Sequence, residues 1–340
     1  MRGTSSEPEA PATPAATPAP KPIPPATRPH RITGPLWTVV RVMWANPLTF
    51  AGFVLVVLIV LTAILVQFLP PITQAIFGHS YTILPYSLVG GVSTPFQPPS
   101  LAHPLGTDNL GVDMVSLVMA ALPLDLSIGL SITAVALAIG TLLGLVAGYW
   151  DTPGTGKGWL SVVILRFTDI FLAFPSLILA LAIAVTLGRG IWPTFIAITV
   201  TWWPYYVRVV RGEVLSIKHR PYVSAAKAAG LTDTRILFRH IVRNILEPLL
   251  VYYTLDVGTV IVTFSTISFI GIALPPTTPE WGSMIQQYQA CCYPPYWWTV
   301  AAPGLAIFVT VLAFSLLGDG LRDLLDPRSR KVLAGGLARE

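Results

Sequence analysis

The sequence predicts an all-α protein that crosses a membrane with six transmembrane helices. Of its 340 residues, 53% are hydrophobic and only 11% are charged, and the mean hydropathy is +0.68. Soluble domains carry about 25% charged residues. Long stretches without Asp, Glu, Lys or Arg separate short basic segments, and one of them runs from Val42 to Thr107. These runs are too long for barrel strands and lack their alternation, which favours helices.

Six apolar runs are each close to the length of about 20 residues that a helix needs to cross a bilayer. The expected spans are about 47–68, 126–150, 166–188, 191–207, 246–271 and 297–318.

Lys and Arg are placed asymmetrically about these spans. Twenty of the 21 lie in the N-terminal tail, in the loops after spans two and four, or in the C-terminal tail, and only Arg189 lies on the other side. Cytoplasmic loops are enriched in Lys and Arg. We therefore expect a multi-pass cell-membrane protein with both termini in the cytoplasm. Charge at the span ends also accounts for the net charge of +5 without nucleic-acid binding.

The regions outside the spans divide the chain. Residues 1–36 predict a disordered, Pro/Ala-rich cytoplasmic tail, because proline-rich polar segments cannot bury a core. Residues 37–331 predict one membrane domain, with an outer segment at 70–122 and a cytoplasmic segment at 208–245. Residues 332–340 predict a C-terminal tail.

Motifs for catalysis, nucleotides or metals are missing from the sequence. It holds no H-E-x-x-H and no G-x-S-x-G, and "GTGKG" (154–158) lacks the spacing of a phosphate-binding loop. The adjacent Cys291 and Cys292 are the only cysteines; a vicinal disulfide and two free thiols are both open. We expect no enzyme activity, metal or cofactor in this chain, so that any ATP is hydrolysed by a partner.

The cytoplasmic segment 208–245 contains a short alanine-rich stretch. Pro221 can begin a helix and Gly230 can end it. Small side chains between them leave the helix slim. Such a helix can enter a groove on another protein, or it can be a tight connector packed on its own bundle, and both interpretations are open.

Several motifs resemble one known family. "SAAKAAG" (224–230) resembles the coupling loop of ABC importer permeases. The other similar strings, in chain order, are "HPLGTDNLGVD" (103–113), "RFTDIFLAFPSLILAL" (166–181), "RHIVRN" (239–244), "SFIGIALPPTTPEWGSMI" (268–285) and "PGLAIFVTVLAFSLLGDGLRDLLDPR" (303–328). The chain thus resembles the C-type permease subunit of bacterial dipeptide, oligopeptide and nickel ABC importers. It departs from them at Ser224, Arg243 and Val112, where the family usually has Glu, Pro and Arg.

The resemblance implies a type I ABC importer permease fold that forms half of a translocation pathway for short peptides. It implies a homologous B-type permease, two ATPase subunits that bind ATP and Mg, and an extracytoplasmic substrate-binding protein as partners, besides membrane lipid and the peptide. The residues implied to couple to the ATPase are Tyr222, Ser224, Ala225, Ala226, Lys227, Ala229 and Gly230.

Two other kinds of cargo or mechanism remain open on the sequence. The same importer type could carry nickel, oligosaccharide or murein peptide. A secondary transporter or channel is an alternative of another class, with inverted repeats and several intramembrane charges as its signature. We find no such repeat.

Asp256 is an acid inside the fifth predicted span, flanked by Tyr252 and Tyr253. A charge at that depth is costly and should face the bundle interior or water. Asp256, Tyr252 and Tyr253 are therefore candidates for the pore. A buried polar link to a neighbouring span is the structural alternative.

Two more charged sets stand at span ends. Arg166 and Asp169 have the spacing of a pair on one helix face, which makes them a candidate structural pair. Asp319, Arg322 and Asp323 have helical spacing next to the basic C-terminal tail, and we expect them to form a cytoplasmic anchor.

Overall fold

A computed structural model describes residues 47–77, 94–151, 156, 158–274 and 278–325, so that both predicted tails lie outside the described residues. The chain forms ten α-helices there. They are α1 (Pro47–Phe77), α2 (Met114–Tyr149), α3 (Gly158–Leu172), α4 (Ser176–Leu187), α5 (Ile191–Lys218), α6 (Pro221–Ala228), α7 (Asp233–Ile236), α8 (Val242–Phe269), α9 (Trp281–Cys291) and α10 (Trp297–Leu325). A π-helical turn, Leu237–Ile241, joins α7 to α8.

The all-α prediction is confirmed, since none of the described residues forms a strand beyond one isolated bridge. Among the described residues, fewer helices than the six predicted spans pass a simple test of length and apolarity. By length and apolarity four helical stretches can cross a membrane: α1, α2, α7–α8 and α10. Helices α3 and α4 add a fifth if they count as one span. Helix α5, which contains the predicted span 191–207, falls outside this group.

The third predicted span, 166–188, is not one straight helix. Helices α3 and α4 meet at an angle of 87°, with a break after Leu172. Pro175 explains the break, since proline cannot donate the helical hydrogen bond and disfavours helical backbone at the residue before it.

Helices α2 and α5 run side by side at very short range. An added Cβ at Gly140, Gly144 or Gly148 of α2 would lie only 2.4, 2.7 and 2.7 Å from the Cβ atoms of Tyr206, Val210 and Val214. Small residues at every fourth position let membrane helices approach closely, which increases their van der Waals contact. This row of glycines therefore permits the close packing of α2 on α5.

The bundle has two chemically different ends, and we name them here. The basic end carries α6 and the C-terminal ends of α2 and α5. The α9 end carries residues 94–113, α9 and the start of α10. Helices α1 and α2 extend into the predicted outer segment 70–122, because α1 continues to Phe77 and α2 begins at Met114.

Residues 94–113 fold against the α9 end. Asp113 caps α2 by accepting a hydrogen bond from the Ser116 amide, and its other oxygen contacts His103 Nδ1 at 3.0 Å. Tyr288 of α9 donates its hydroxyl hydrogen to Asp108 at 3.1 Å. These bonds tie the loop to both α2 and α9.

Candidate functional site

Helix α6 begins and ends as its sequence predicts. Pro221 occupies the first turn, where its missing N–H has no helical partner to lose. At the other end Gly230 has a φ of +76°, its amide donates to the Lys227 carbonyl at 2.9 Å, and the Leu231 amide donates to the Ala226 carbonyl at 3.2 Å. This is a Schellman termination, and it needs glycine because side chains disfavour positive φ.

The faces of α6 differ sharply. Val223 and Ala226 are 0% and 9% exposed and pack into an apolar cluster with the ends of α2, α5 and α8. The exposed members of the predicted coupling set are Tyr222, Ser224, Ala225, Lys227, Ala229 and Gly230. We name these six residues the coupling face. Ala226 was expected on this face; it faces its own bundle because it lies three residues after Val223, on the same side of the helix.

Tyr149 fastens α6 and α7 to the end of α2. Its hydroxyl donates to Asp233 of α7 at 2.7 Å. Lys227 of α6 places its ammonium 5.1 Å from the centre of the Tyr149 ring, a cation–π contact. These two contacts fix α6, and with it the coupling face, to the end of α2.

Basic side chains beneath α6 connect α5 to the end of α2. Lys218 donates to the carbonyls of Gly148 and Asp151 at 3.1 and 3.2 Å, and Arg211 pairs with the Asp151 carboxylate at 2.8 Å. A cation at a helix C-terminus satisfies unpaired carbonyls and the helix dipole. Burial lowers the pKa of Lys218, and the nearby Asp151 opposes that shift. These contacts therefore tie the end of α5 to the end of α2, the helix that Lys227 of α6 also contacts.

Asp169 has a different partner from the one expected. It accepts a hydrogen bond at 2.7 Å from Arg208 of α5, and no ion pair between Arg166 and Asp169 is found among the described residues. Arg before Asp is the less favourable order along a helix, and Arg208 reaches Asp169 from a neighbouring helix. This pair joins α3 to α5.

Asp256 is half-buried and bonds across helices. Its carboxylate accepts the hydroxyl hydrogen of Tyr206, on α5, at 2.6 Å. Tyr253 donates instead to the Leu130 carbonyl of α2 at 3.2 Å, and Tyr252 packs beside the apolar cluster of the basic end. The structure does not bring Tyr252 or Tyr253 into a hydrogen bond with Asp256 within the described residues. Sequence reasoning missed Tyr206; the polar aromatic pair in "WWPYYVR" was the available signal.

The remaining predicted sites have separate outcomes. Asp319, Arg322 and Asp323 are exposed at the end of α10, and their anchoring role stays a prediction. Cys291 and Cys292 form a disulfide, one of the two alternatives left open. Most of the loop 154–158 lies outside the described residues. No group of three metal-binding side chains occurs in the described part of the chain.

Comparison with known proteins identifies the architecture. Residues 140–331 match the family described as "Binding-protein-dependent transport system inner membrane component". The chain belongs to this family. It is therefore a multi-pass membrane permease subunit of an ABC importer, a type of transport system that has ATPase and substrate-binding components.

Individual relatives agree with the expected C-type resemblance. The chain is 34% identical over 319 residues to the dipeptide transport system permease protein DppC of Alkalihalophilus pseudofirmus, covering 94% of this chain and 98% of that protein. It is 38% identical over 231 residues to the glutathione transport system permease protein GsiD of Pectobacterium atrosepticum, covering 68% and 74%. The solved inward-facing MetNI methionine ABC transporter matches with a TM-score of 0.48 and 20% identity, over 61% of this chain and 97% of that one.

Proposed function

We propose that this permease forms half of the translocation pathway for short peptides and transmits the movement of separate ATPase subunits through α6. A homologous B-type permease would supply the other half. Two ATPase subunits would bind ATP and Mg, and an extracytoplasmic protein would deliver the peptide. The chain itself would have no enzyme activity and no cofactor.

The coupling face of α6 carries this proposal. Its residues are small, apart from Tyr222 and Lys227, and all six are exposed. The opposite face is fixed by buried Val223 and Ala226. A slim helix that is rigidly attached on one side and open on the other can enter a groove and transmit a push without bending. Ser224 stands where the family has Glu, so the contact would rely on shape more than on charge.

Short peptides are the proposed cargo because the relatives are named for dipeptide and glutathione transport. Both molecules are peptides of two or three residues. The complex should be reconstituted in proteoliposomes with its binding protein, and labelled dipeptide, glutathione and Ni²⁺ compared. Accumulation that requires ATP should occur with one of the peptides. Accumulation of Ni²⁺ alone would show that the cargo is nickel and would contradict the proposal of a peptide cargo.

A pair of alanine substitutions tests the coupling face. Ala225→Trp adds bulk to the exposed side, and Ala51→Trp adds the same bulk to an exposed position of α1 near the basic end. We expect both variants to assemble at normal yield. ATP-dependent uptake should fall at least tenfold in Ala225→Trp only, because overpacking a fitted groove costs about 1–3 kcal/mol. Normal uptake by Ala225→Trp would rule out insertion of this face into the ATPase.

Ala226→Trp separates this effect from misfolding. Its side chain would enter the apolar cluster beneath α6, so the yield of folded protein should fall before any coupling is measured. Equal yields of Ala225→Trp and Ala226→Trp would contradict the assignment of the two faces.

A further inference from the structure

Two acidic side chains meet inside the α9 end of the bundle. Asp125 of α2 is 1% exposed, and Glu280, which immediately precedes α9, is 0% exposed. Asp125 accepts a hydrogen bond from the amide of Trp281, the residue that follows Glu280, so the two carboxyl groups lie close together. Neither residue belongs to the coupling face or to the surroundings of Asp256.

Hydrogen-bond donors surround Glu280 on both of its oxygens. Oε1 accepts from the Gly282 amide at 2.8 Å and from the Ser265 hydroxyl at 3.3 Å, and Oε2 accepts from the Ser283 amide at 2.7 Å. Three donors that converge on its two oxygens stabilise the ionised form of Glu280. Glu280 is also the N-cap of α9, where a negative charge is stabilised by the helix dipole.

The two carboxyl oxygens of Asp125 differ in their hydrogen-bond partners. Oδ2 accepts from the Trp281 amide at 3.2 Å. Oδ1 is buried and has no donor among the described residues. A buried oxygen with no donor is costly for a carboxylate and natural for a carboxylic acid, whose hydroxyl can itself donate.

The charge balance leads to the same assignment. Two ionised carboxylates in one dry site repel each other, and such pairs keep one proton between them. None of the ion pairs seen in the described residues involves Asp125 or Glu280. No third metal-binding side chain stands beside them there. One proton lowers the charge of the pair from −2 to −1 and replaces the repulsion by a hydrogen bond.

We propose that Asp125 holds a proton on Oδ1 and donates it in a hydrogen bond to the ionised Glu280, so that the two residues form a one-proton latch between α2 and the start of α9. The latch fixes where α9 begins. Two further bonds then hold α9 on the bundle: Trp281 Nε1 donates to the Val118 carbonyl at 3.1 Å, and Tyr288 donates to Asp108 at 3.1 Å.

The proposal predicts an asymmetry between two amide substitutions. In Asp125→Asn the side-chain oxygen can accept from the Trp281 amide and the NH₂ can donate to Glu280, which reproduces the protonated acid. Gln at 280 places an NH₂ where a backbone amide already donates. In the complete transporter complex in lipid nanodiscs, Asp125→Asn should keep the unfolding midpoint of the parent, and Glu280→Gln should lower it clearly. Equal losses in the two variants would overturn the latch.

Infrared spectroscopy tests the proton directly, and it remains informative if Glu280→Gln fails to assemble. The parent complex should show a carbonyl band of a protonated carboxylic acid that shifts in ²H₂O. The band should be absent from Asp125→Asn and present in Asp151→Asn, a control at the basic end. A spectrum in which Asp125→Asn removes no such band would overturn the proposal, and stability that depends on Na⁺ instead would assign a cation to the site.

Discussion

Asp256 illustrates at the residue scale how an acid is accommodated in an apolar bundle. The Tyr206 side chain is fully buried, and its hydroxyl is 2.6 Å from the Asp256 carboxylate. This bond links α8 to α5, next to the row of glycines that joins α5 to α2. The contact therefore favours the interpretation of Asp256 as a buried polar link between helices over its interpretation as a pore residue that binds cargo.

Tyr206→Phe should destabilise the complex measurably. Removing the hydroxyl leaves the Asp256 carboxylate without its donor, and a hydrogen bond to a charged group contributes about 1.5–3 kcal/mol. Tyr205→Phe is the matched control, because Tyr205 is the exposed neighbour on the same helix. Unfolding midpoints in nanodiscs should fall for Tyr206→Phe and stay near the parent for Tyr205→Phe. Similar midpoints for both variants would show that the 2.6 Å contact contributes little.

At the scale of elements, the close pairing of α2 and α5 rests on glycines. Position 144 has no room for even one methyl group, because an added Cβ would lie 2.7 Å from Val210 Cβ and 2.9 Å from the Val207 carbonyl oxygen. Gly212, near the C-terminal end of α5, has nothing within 4 Å of such an atom. The same substitution should have opposite effects at these two positions.

Gly144→Ala should lower the yield and the unfolding midpoint of the complex, since helices must separate to admit the methyl group. Gly212→Ala should leave both unchanged or slightly improved, because alanine is about 1 kcal/mol more favourable than glycine in a helix interior. Size-exclusion yield and thermal unfolding in nanodiscs measure the difference. A tolerated Gly144→Ala together with a damaging Gly212→Ala would contradict the packing of α2 on α5.

The ends of a helix could be predicted from the sequence where a single residue, through its own backbone, starts or stops the helix. Pro221 and Gly230 marked both ends of α6 because proline and glycine act through their own backbone. The bend at Pro175 could have been predicted from the effect of proline on the helix backbone. It was missed because residues 166–188 were assigned to one span by their apolar composition. The choice of Arg208 as the partner of Asp169, and of Tyr206 as the partner of Asp256, depends on which helices lie side by side, and no spacing along the sequence carries that information.

At the scale of the whole molecule, two acids bonded to α5 and two acids at the α9 end have different kinds of partner. At the basic end Asp151 and Asp169 pair with arginines of α5. At the α9 end Asp108 and Glu280 accept backbone amides and hydroxyls instead. Counting charges along the sequence predicts the orientation but not this division. The α9 end keeps Asp108 and Glu280 buried.

The orientation itself is testable through the bent pair α3–α4. If this pair crosses the membrane, Gly156 and Gly188 lie on opposite sides; if it enters and returns, they lie on the same side. The positive-inside pattern requires a crossing, since it leaves Arg189 as the one basic residue outside. Alkaline phosphatase, which is active only outside the cytoplasm, should be inserted after Gly156 or after Gly188, two exposed glycines with no atom within 4 Å of an added Cβ. We expect activity only from the insertion after Gly188, and a fluorescent protein fused to the C-terminus should fluoresce.

Phosphatase activity at neither site would show that the pair α3–α4 enters the membrane and returns on the same side. Activity at Gly156 alone would show that the orientation is opposite to the predicted one.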